Sequence, residues 1–533
     1  GDIQVHDGER RRDERAMNND ERKLLFIQPR ENDESVKAND RFIYDMSHLR
    51  IVPAYSYLDA YLKSKMLGLE TGYLDFRFEP RDGVETIVNR VKSEFDFNVA
   101  GIGCLSQHYL NCVEIARMLK TLDKNTTIVL GGHHPTIIPG DFIGLKDNPF
   151  DFLIRGDGEI AFYRLLDRLK KKKDSSTRIE PRMIEGTPVD VNEVPLVDLS
   201  LYADYLDKID KSQLPVILSR GCIHDCSFCT SREHTCGLKK YRPLSPKNIE
   251  KQLEKFKDCD FEEIFIADPI FGVEGKWFDS TVECLGKMKE RHPARVQTHV
   301  DLTSKARLEK LVENGIRMMV GLESASPEML HLMNKTRDPL KYLERASSLI
   351  RHAADLNMEV GLNVVLGFPG ETRETIDETF EFMGNHADFH SSIHYRQHLF
   401  MIFPGTPVYN NLQFFENTFG TRVHCKQWWK EDVDQIIART IVDPSRNLTH
   451  LECNEYLLEK FASLVQSRIV TSRHVASEKK LHYCRQLLRL KKDFQDLRAV
   501  TVDLLKKCRE MNHERKEGYR TVKEHQGRDS KEP

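Results

Sequence analysis

The chain has 533 residues, enough for about three domains of ~150 residues each. Lys and Arg number 80 against 83 Asp and Glu, a formal net charge of −3, so no overall basic field draws it to nucleic acid. No apolar stretch approaches the ~20 residues of a membrane span and no secretory signal opens the chain. Its twelve cysteines are too sparse for a disulfide scaffold, so reduced thiols in a cytoplasm are expected; a monomer is the expected state.

In chain order, residues 1–23 carry mixed charge and few large apolar side chains, and are expected to form a flexible leader. From 24 to 173, short apolar runs alternate with helical segments. The runs are LLFIQ (24–28), TGYLDF (71–76), NVAGIG (98–103), TTIVLGG (126–132) and DFLIRG (151–156). Helices are expected from about Pro53, from about Gly83, over 109–122 and over 158–172. This alternation predicts a parallel sheet with helices on both faces, a Rossmann-like domain. No GxGxxG follows its first strand and no phosphate loop is present.

Residues 174–214 read as a polar, Pro-containing linker. A second βα series follows over 215–406. Its strand candidates are PVILS (215–219), EIFIAD (263–268), RVQTHV (295–300), RMMVGLE (317–323), MEVGLNVVLG (358–367) and QHLFMIF (397–403). Six such units curve into a partial (β/α)6 barrel without closing one of eight. Residues 407–508 read as mainly helical, including an apolar stripe at 3-4 spacing (Leu487, Leu490, Phe494, Leu497, Val500, Leu504) that packs a helix on the rest of the protein. Residues 509–533 read as a loose tail.

The chemistry concentrates in SRGCIHDCSFCTSREHTCG (219–237). Cys222, Cys226 and Cys229 are spaced C-x3-C-x2-C, on the loop leaving the first barrel strand, where barrel enzymes carry their active sites. A zinc knuckle could recruit His224, His234 or Cys236 as a fourth donor. An iron–sulfur cluster needs only the three thiolates, which leaves one iron open to a ligand.

This spacing, with Phe228 before the last cysteine and a six-unit βα series after it, resembles the radical S-adenosylmethionine (SAM) superfamily. The resemblance implies a [4Fe–4S] cluster on Cys222, Cys226 and Cys229 that binds SAM at its open iron, with Cys236 a bystander. IADPIF (266–271) stands where Asp268 would meet the SAM ammonium, although it departs from the family's usual Gly-Gly-Glu form. VGLESAS (320–326) would bring Glu323 and Ser324 to SAM. LGFPGET (366–372) would bring backbone near Gly367 and Phe368 to its adenine. The alternative for Asp268 and Glu323 is a carboxylate capping a helix N-terminus. HLFMIFPGTPVY (398–409) is similar to the family's sixth-strand ending.

The first domain, through VLGGHHPTIIPGDF (129–142), DFLIRGDGEIAF (151–162) and VPAYSYLDAYLKS (52–64), resembles the cobalamin-binding domain that precedes many such barrels. That likeness places Leu105, Ser106 and Gln107 beneath the corrin. It places Gly131, Gly132, His133, Pro135, Thr136, Gly156 and Glu159 around the nucleotide tail. No Asp-x-His-x-x-Gly string supplies a lower cobalt ligand, and His108 is read as a surface or supporting histidine. The paired His133 and His134 are not read as a metal site.

Together these likenesses imply a cobalamin-dependent radical SAM methyltransferase. In that family one SAM methylates cobalt and a second yields the radical that abstracts a substrate hydrogen. The substrate would be a small molecule or peptide, and the electron donor a flavodoxin or ferredoxin. Three alternatives stand beside it: the same cofactors used for ring formation, ring contraction or oxidation; a methylthiotransferase, for which the first domain has only Cys104 and Cys112; and a zinc-stabilised binding protein. Trp428 and Trp429 are read as buried packing, with stacking on a substrate ring the alternative.

Overall fold

The computed structural model describes residues 23–31, 50–80, 83–171, 182–231, 241–386, 393–431, 433, 438–471, 498, 501–502 and 505–506. The expected leader before residue 23, Cys236, the 487–504 stripe and the tail lie outside them.

Six strands build the first sheet: β1 Lys23–Gln28, β2 Glu70–Asp75, β3 Val99–Gly103, β4 Thr127–Gly131, β5 Phe152–Arg155 and β6 Met183–Glu185. Their order is β2-β1-β3-β4-β5-β6, all parallel. Side chains alternate along each strand. Leu24 and Phe26 therefore enter one core, while Leu25 and Ile27 enter the other. The longer crossovers are α1 Pro53–Lys65, α2 Val84–Glu94, α3 Tyr109–Leu122 and α6 Glu159–Lys171, with short α4 His133–Ile137 and α5 Gly140–Ile143 after β4. Pro53 opens α1, where its missing N–H costs nothing.

The strand order reverses between β1 and β3, and in an open α/β sheet the ligand crevice lies at such a switch point, beyond the carboxyl ends of the strands. Tyr55 closes the floor of that crevice: its hydroxyl donates to Ile27 O (2.6 Å) and accepts from Gly103 N (3.1 Å). The expected linker differs from the reading above, because its residues 183–185 pair with β5 as the sheet's sixth strand. Three residues are too short to show a strand pattern in sequence.

Gly132 follows β4 with φ +99°, and a Cβ there would lie 2.8 Å from Cys104 N and 3.0 Å from Cys104 O. Gly132→Ala is therefore expected to cost about 1–3 kcal/mol. The measurement is the urea midpoint of the first domain's unfolding, and an unchanged midpoint would contradict this packing.

The second sheet takes β7 Leu214–Val216, β10 Ile264–Ile266, β11 Ala294–His299, β12 Ile316–Glu323, β13 Val360–Leu366 and β14 Ile393–Leu399 in simple chain order, all parallel. Between β7 and β10 lies a small ribbon, β8 Ser219–Arg220 against β9 Arg242–Pro243. The helices are α7 Pro246–Phe256, α8 Gly275–Gly286, α9 Lys305–Glu313, α10 Pro327–Leu332, α11 Pro339–Asp355 and α12 Arg373–Asn385. Neighbouring strands are consecutive in sequence, as in a barrel, but β7 and β14 remain edges.

The last strand sits four residues earlier than its apolar run (397–403) indicates. Phe400 still donates its N–H to Leu366 O (2.7 Å) just past the strand's end, and Ile402 is buried beyond it, because apolar character reports burial as well as pairing. The described part of the C-terminal region is mainly helical, as expected, with one addition. Beside α13 Pro407–Asn410, α14 Leu412–Phe419 and α15 His450–Thr471 it holds an antiparallel ribbon, β15 Arg422–Val423 with β16 Val442–Asp443.

One core runs from the first sheet into the barrel, and the other runs from the opposite face of the first sheet into residues 400–442. Trp428 and Trp429 belong to the second core; Trp428 donates to Ile402 O and Trp429 to Asp141. They are packing residues, not a stacking platform. Among the described residues no helix is long and apolar enough to cross a membrane.

Candidate active site

Cys222, Cys226 and Cys229 lie on one loop, each part-exposed and none in a disulfide. The barrel grips the middle of that loop. Ser227 N donates to Met333 O (2.8 Å), Ser227 Oγ to Leu332 O (3.0 Å), and Val408 N to Ser227 O (2.9 Å). Burial pushes the Cys226 thiol up to about 12 and raises that of Cys222 as well. Among the described residues no three His, Cys, Asp or Glu side chains converge on a single ion position. A four-iron cluster takes one thiolate per iron, so its ligands need not converge. Three thiolates on one loop are a donor set that such a cluster takes, and the zinc candidates His234 and Cys236 lie outside the described residues. His224, a candidate zinc donor, instead stacks on His299 with centroids 3.9 Å apart.

Glu323 ends β12 at φ +66°, where the β12–β13 register shifts. Its Oε1 pairs with Lys335 Nζ at 3.0 Å, and both residues are buried. Burial works against the Lys335 cation, but Glu323 outweighs it and holds the amine protonated. Lys335 also acts electrostatically on Cys226. Nothing in the sequence marks this lysine, because its partner is twelve residues away across a helix.

Asp268, read as the acceptor of the SAM ammonium, is 0 % exposed. Its oxygens accept from Leu218 N (2.7 Å) and Ser219 Oγ (2.6 Å), so it clips the chain that leads to the cysteine loop instead of facing a ligand. Ser324 is equally closed off: its hydroxyl meets Thr379 Oγ1 and accepts from Ser326 N. Phe368 packs its ring edge-on against Phe400 and Phe415 in the core, which leaves only its backbone for the expected adenine contact. Gly367 (φ +78°) gives its N–H to Glu371, a fully buried carboxyl the sequence did not flag. Phe228 is half-buried against the second core.

Burial pushes Asp268 up to about 7 and Glu371 up to about 8, against the hydrogen bonds that each accepts. Between about pH 4 and 7 the folded chain keeps these protons while the unfolded chain has lost them, so stability falls as pH rises. Asp268→Asn is expected to flatten that fall by up to about 1.4 kcal/mol per pH unit. Urea midpoints across this range check it, and an unaltered slope contradicts the burial of the charge.

In the first domain, Leu105 is 42 % exposed at the switch point. Ser106 is buried and bonds His134 Nδ1 at 2.8 Å, while Gln107 reaches Glu31. Of the three residues placed beneath the corrin, Leu105 is the most open. His108 is buried, not superficial: its Nδ1 accepts from Leu105 N, and burial lowers it to about 3. His134 Nε2 in turn meets Asp141, which also holds Lys430 and Trp429.

A Cβ at Gly131 would meet Ile154 O at 4.0 Å, an ordinary contact, whereas Gly132 approaches Cys104 rather than a ligand. Pro135 is buried, and so is Thr136, which ties the loops after β4 and β5. Gly156 takes φ +80° there. Glu159 is occupied by Arg220 at 2.6 Å, and His133 reaches Thr230 at 2.8 Å. Arg220 stands two residues before Cys222, and that adjacency was the one signal that could have marked it.

Compared with known proteins, residues 216–383 match the Radical SAM superfamily and residues 53–166 match the B12 binding domain. The chain is 25% identical over 325 residues to an uncharacterized methyltransferase of Pyrococcus horikoshii, covering 55% of this chain and 66% of that one. It is 26% identical over 346 residues to bacteriochlorophyllide d C-8(2)-methyltransferase of Chlorobaculum tepidum, covering 60% and 70%. It therefore spans about two thirds of these curated relatives. Its fold resembles that of the cobalamin-dependent S-adenosylmethionine radical enzyme OxsB, with a TM-score of 0.61 at 17% identity over 90% of this chain and 72% of that one.

Proposed function

We propose that this chain, in which a B12-binding domain precedes a radical SAM domain, is a cobalamin-dependent radical SAM methyltransferase acting on an unactivated carbon of a small-molecule or peptide substrate. The observation that carries the reading is the place of the cysteine loop. It follows β7 and the ribbon strand β8 and meets the segments at the carboxyl ends of β4 and β5, where the first sheet would present its ligand. The two relatives named as methyltransferases support the reaction class.

When bound, the cluster, SAM and cobalamin supply a one-electron source, a hydrogen-abstracting radical and a methyl carrier. The chain's own residues place them. Cys222, Cys226 and Cys229 would hold the cluster, and Glu323, fixed by Lys335, would stand beside SAM. Leu105 would offer an apolar surface under the corrin, and Gly131 would let the nucleotide tail pass close to the backbone. The electron donor would be of the flavodoxin or ferredoxin class, in the cytoplasm, and the enzyme would act as a monomer.

The test is anaerobic reconstitution with iron, sulfide and hydroxocobalamin, followed by SAM and candidate substrates. A product heavier by about 14 mass units, one CH2, establishes methyl transfer. SAM cleavage with a substrate that loses hydrogen and gains no carbon establishes the ring-forming or oxidative alternative instead. Zinc without iron in the purified protein would sink both readings.

A further inference from the structure

We propose that the first domain brackets the cysteine loop at both ends, so that cobalamin binding and cluster assembly are energetically coupled through Glu159–Arg220 and His133–Thr230. The inference rests on the functional reading above, and the middle of the loop, held by the barrel at Ser227, takes no part in it.

At the leading end, Arg220 Nη2 lies 2.6 Å from Glu159 Oε1, and its Nη1 lies 3.6 Å from Asp157. The guanidinium rests over Tyr57, whose hydroxyl donates to Ile217 O (2.8 Å). Glu159 is buried, so the pair is a fixed fork, not a mobile surface contact. Arg242, on the ribbon strand paired with Arg220, binds the same Asp157. At the trailing end, Thr230 follows Cys229 directly and meets His133 Nε2 at 2.8 Å.

The two grips come from two loops of the first sheet, and Thr136 joins those loops. Its hydroxyl donates to Gly132 O (2.7 Å) and accepts from Gly156 N (3.0 Å), while its carbonyl accepts from Arg155 (3.1 Å). A ligand that orders one loop therefore orders the other, and with them both ends of the segment that carries the cluster. Glu159 and His133 are positioning residues for the cluster loop. Linkage makes the effect reciprocal: a loaded cluster tightens cobalamin binding by the factor with which cobalamin favours the cluster.

The experiment measures hydroxocobalamin affinity in cluster-free and in anaerobically reconstituted full-length protein. The wild-type protein is expected to bind at least about 5-fold tighter with the cluster in place. Thr230→Val, which removes the trailing grip without stranding a charge, and Glu159→Gln, which weakens the leading one, are each expected to shrink that ratio. The double variant is expected to bring it to one. Adding cobalamin is expected to change the line shape of the reduced-cluster EPR signal in the wild-type protein and not in the double variant. A wild-type ratio of one with both cofactors bound overturns the coupling and leaves the functional reading intact. Failure of cobalamin to bind in either form overturns the functional reading, and the coupling with it.

Discussion

Alanine in place of Cys222, Cys226 or Cys229 is expected to leave a folded protein that no longer retains iron and whose SAM cleavage falls by at least about 100-fold. Loss of an outer-shell group around a metal already costs 10–100-fold, and a ligand should cost more. Folding should survive because the barrel holds the loop at Ser227, whereas the Cys222 and Cys229 sulfurs bond locally, to residues two positions on. Each cysteine is part-exposed, so truncation leaves little cavity. The controls are Cys104→Ala and Cys112→Ala in the first domain. Both thiols are buried, and their loss should change stability while iron content stays at the wild-type value. Iron analysis and thermal melts on the same samples separate the two classes. Full iron retention in any one of the three loop variants would remove that cysteine from the ligand set.

Lys335→Met should produce the largest loss of stability. It leaves Glu323 charged and buried without its partner, and breaking a buried pair from one side costs about 3–5 kcal/mol. For a unit of the barrel's size that is a drop of roughly 6–20 °C in its melting transition. Adding Glu323→Leu removes the stranded charge, and the double variant should recover most of the loss, since buried pairs are often no better than apolar replacements. Equilibrium binding of SAM then separates the pair's two roles. If Glu323 stands beside SAM, the double variant melts near the wild-type temperature yet binds SAM weakly. Recovery of both properties would show the pair to be purely structural.

The repeating elements were legible because their periodicity is local. Strands 24–28 and 98–103 and the helix over 109–122 follow from apolar spacing alone, and the structure places them within a residue or two. The cysteine spacing was equally legible, since three cysteines within eight residues need little help from the fold to share one loop. Side-chain destinations were not. Asp268 and Ser324 stand at strand ends where a ligand could be met, yet the side chain of each meets a partner 49 to 55 residues away in sequence. No local pattern encodes such a partner.

The sequence by itself determined two βα series, the order of the two domains and the cluster of three cysteines on one loop, all of which depend on spacing along the chain. Only the tertiary structure decided that Asp268 clips the backbone and that Glu323 pairs with Lys335. It also turned residues 183–185 from linker into sheet and joined Glu159 to Arg220 and His133 to Thr230. The physical reason is that burial and pairing of a charge depend on what the fold brings against it. A side chain's type states what it can bind, and its neighbours in space settle what it does bind.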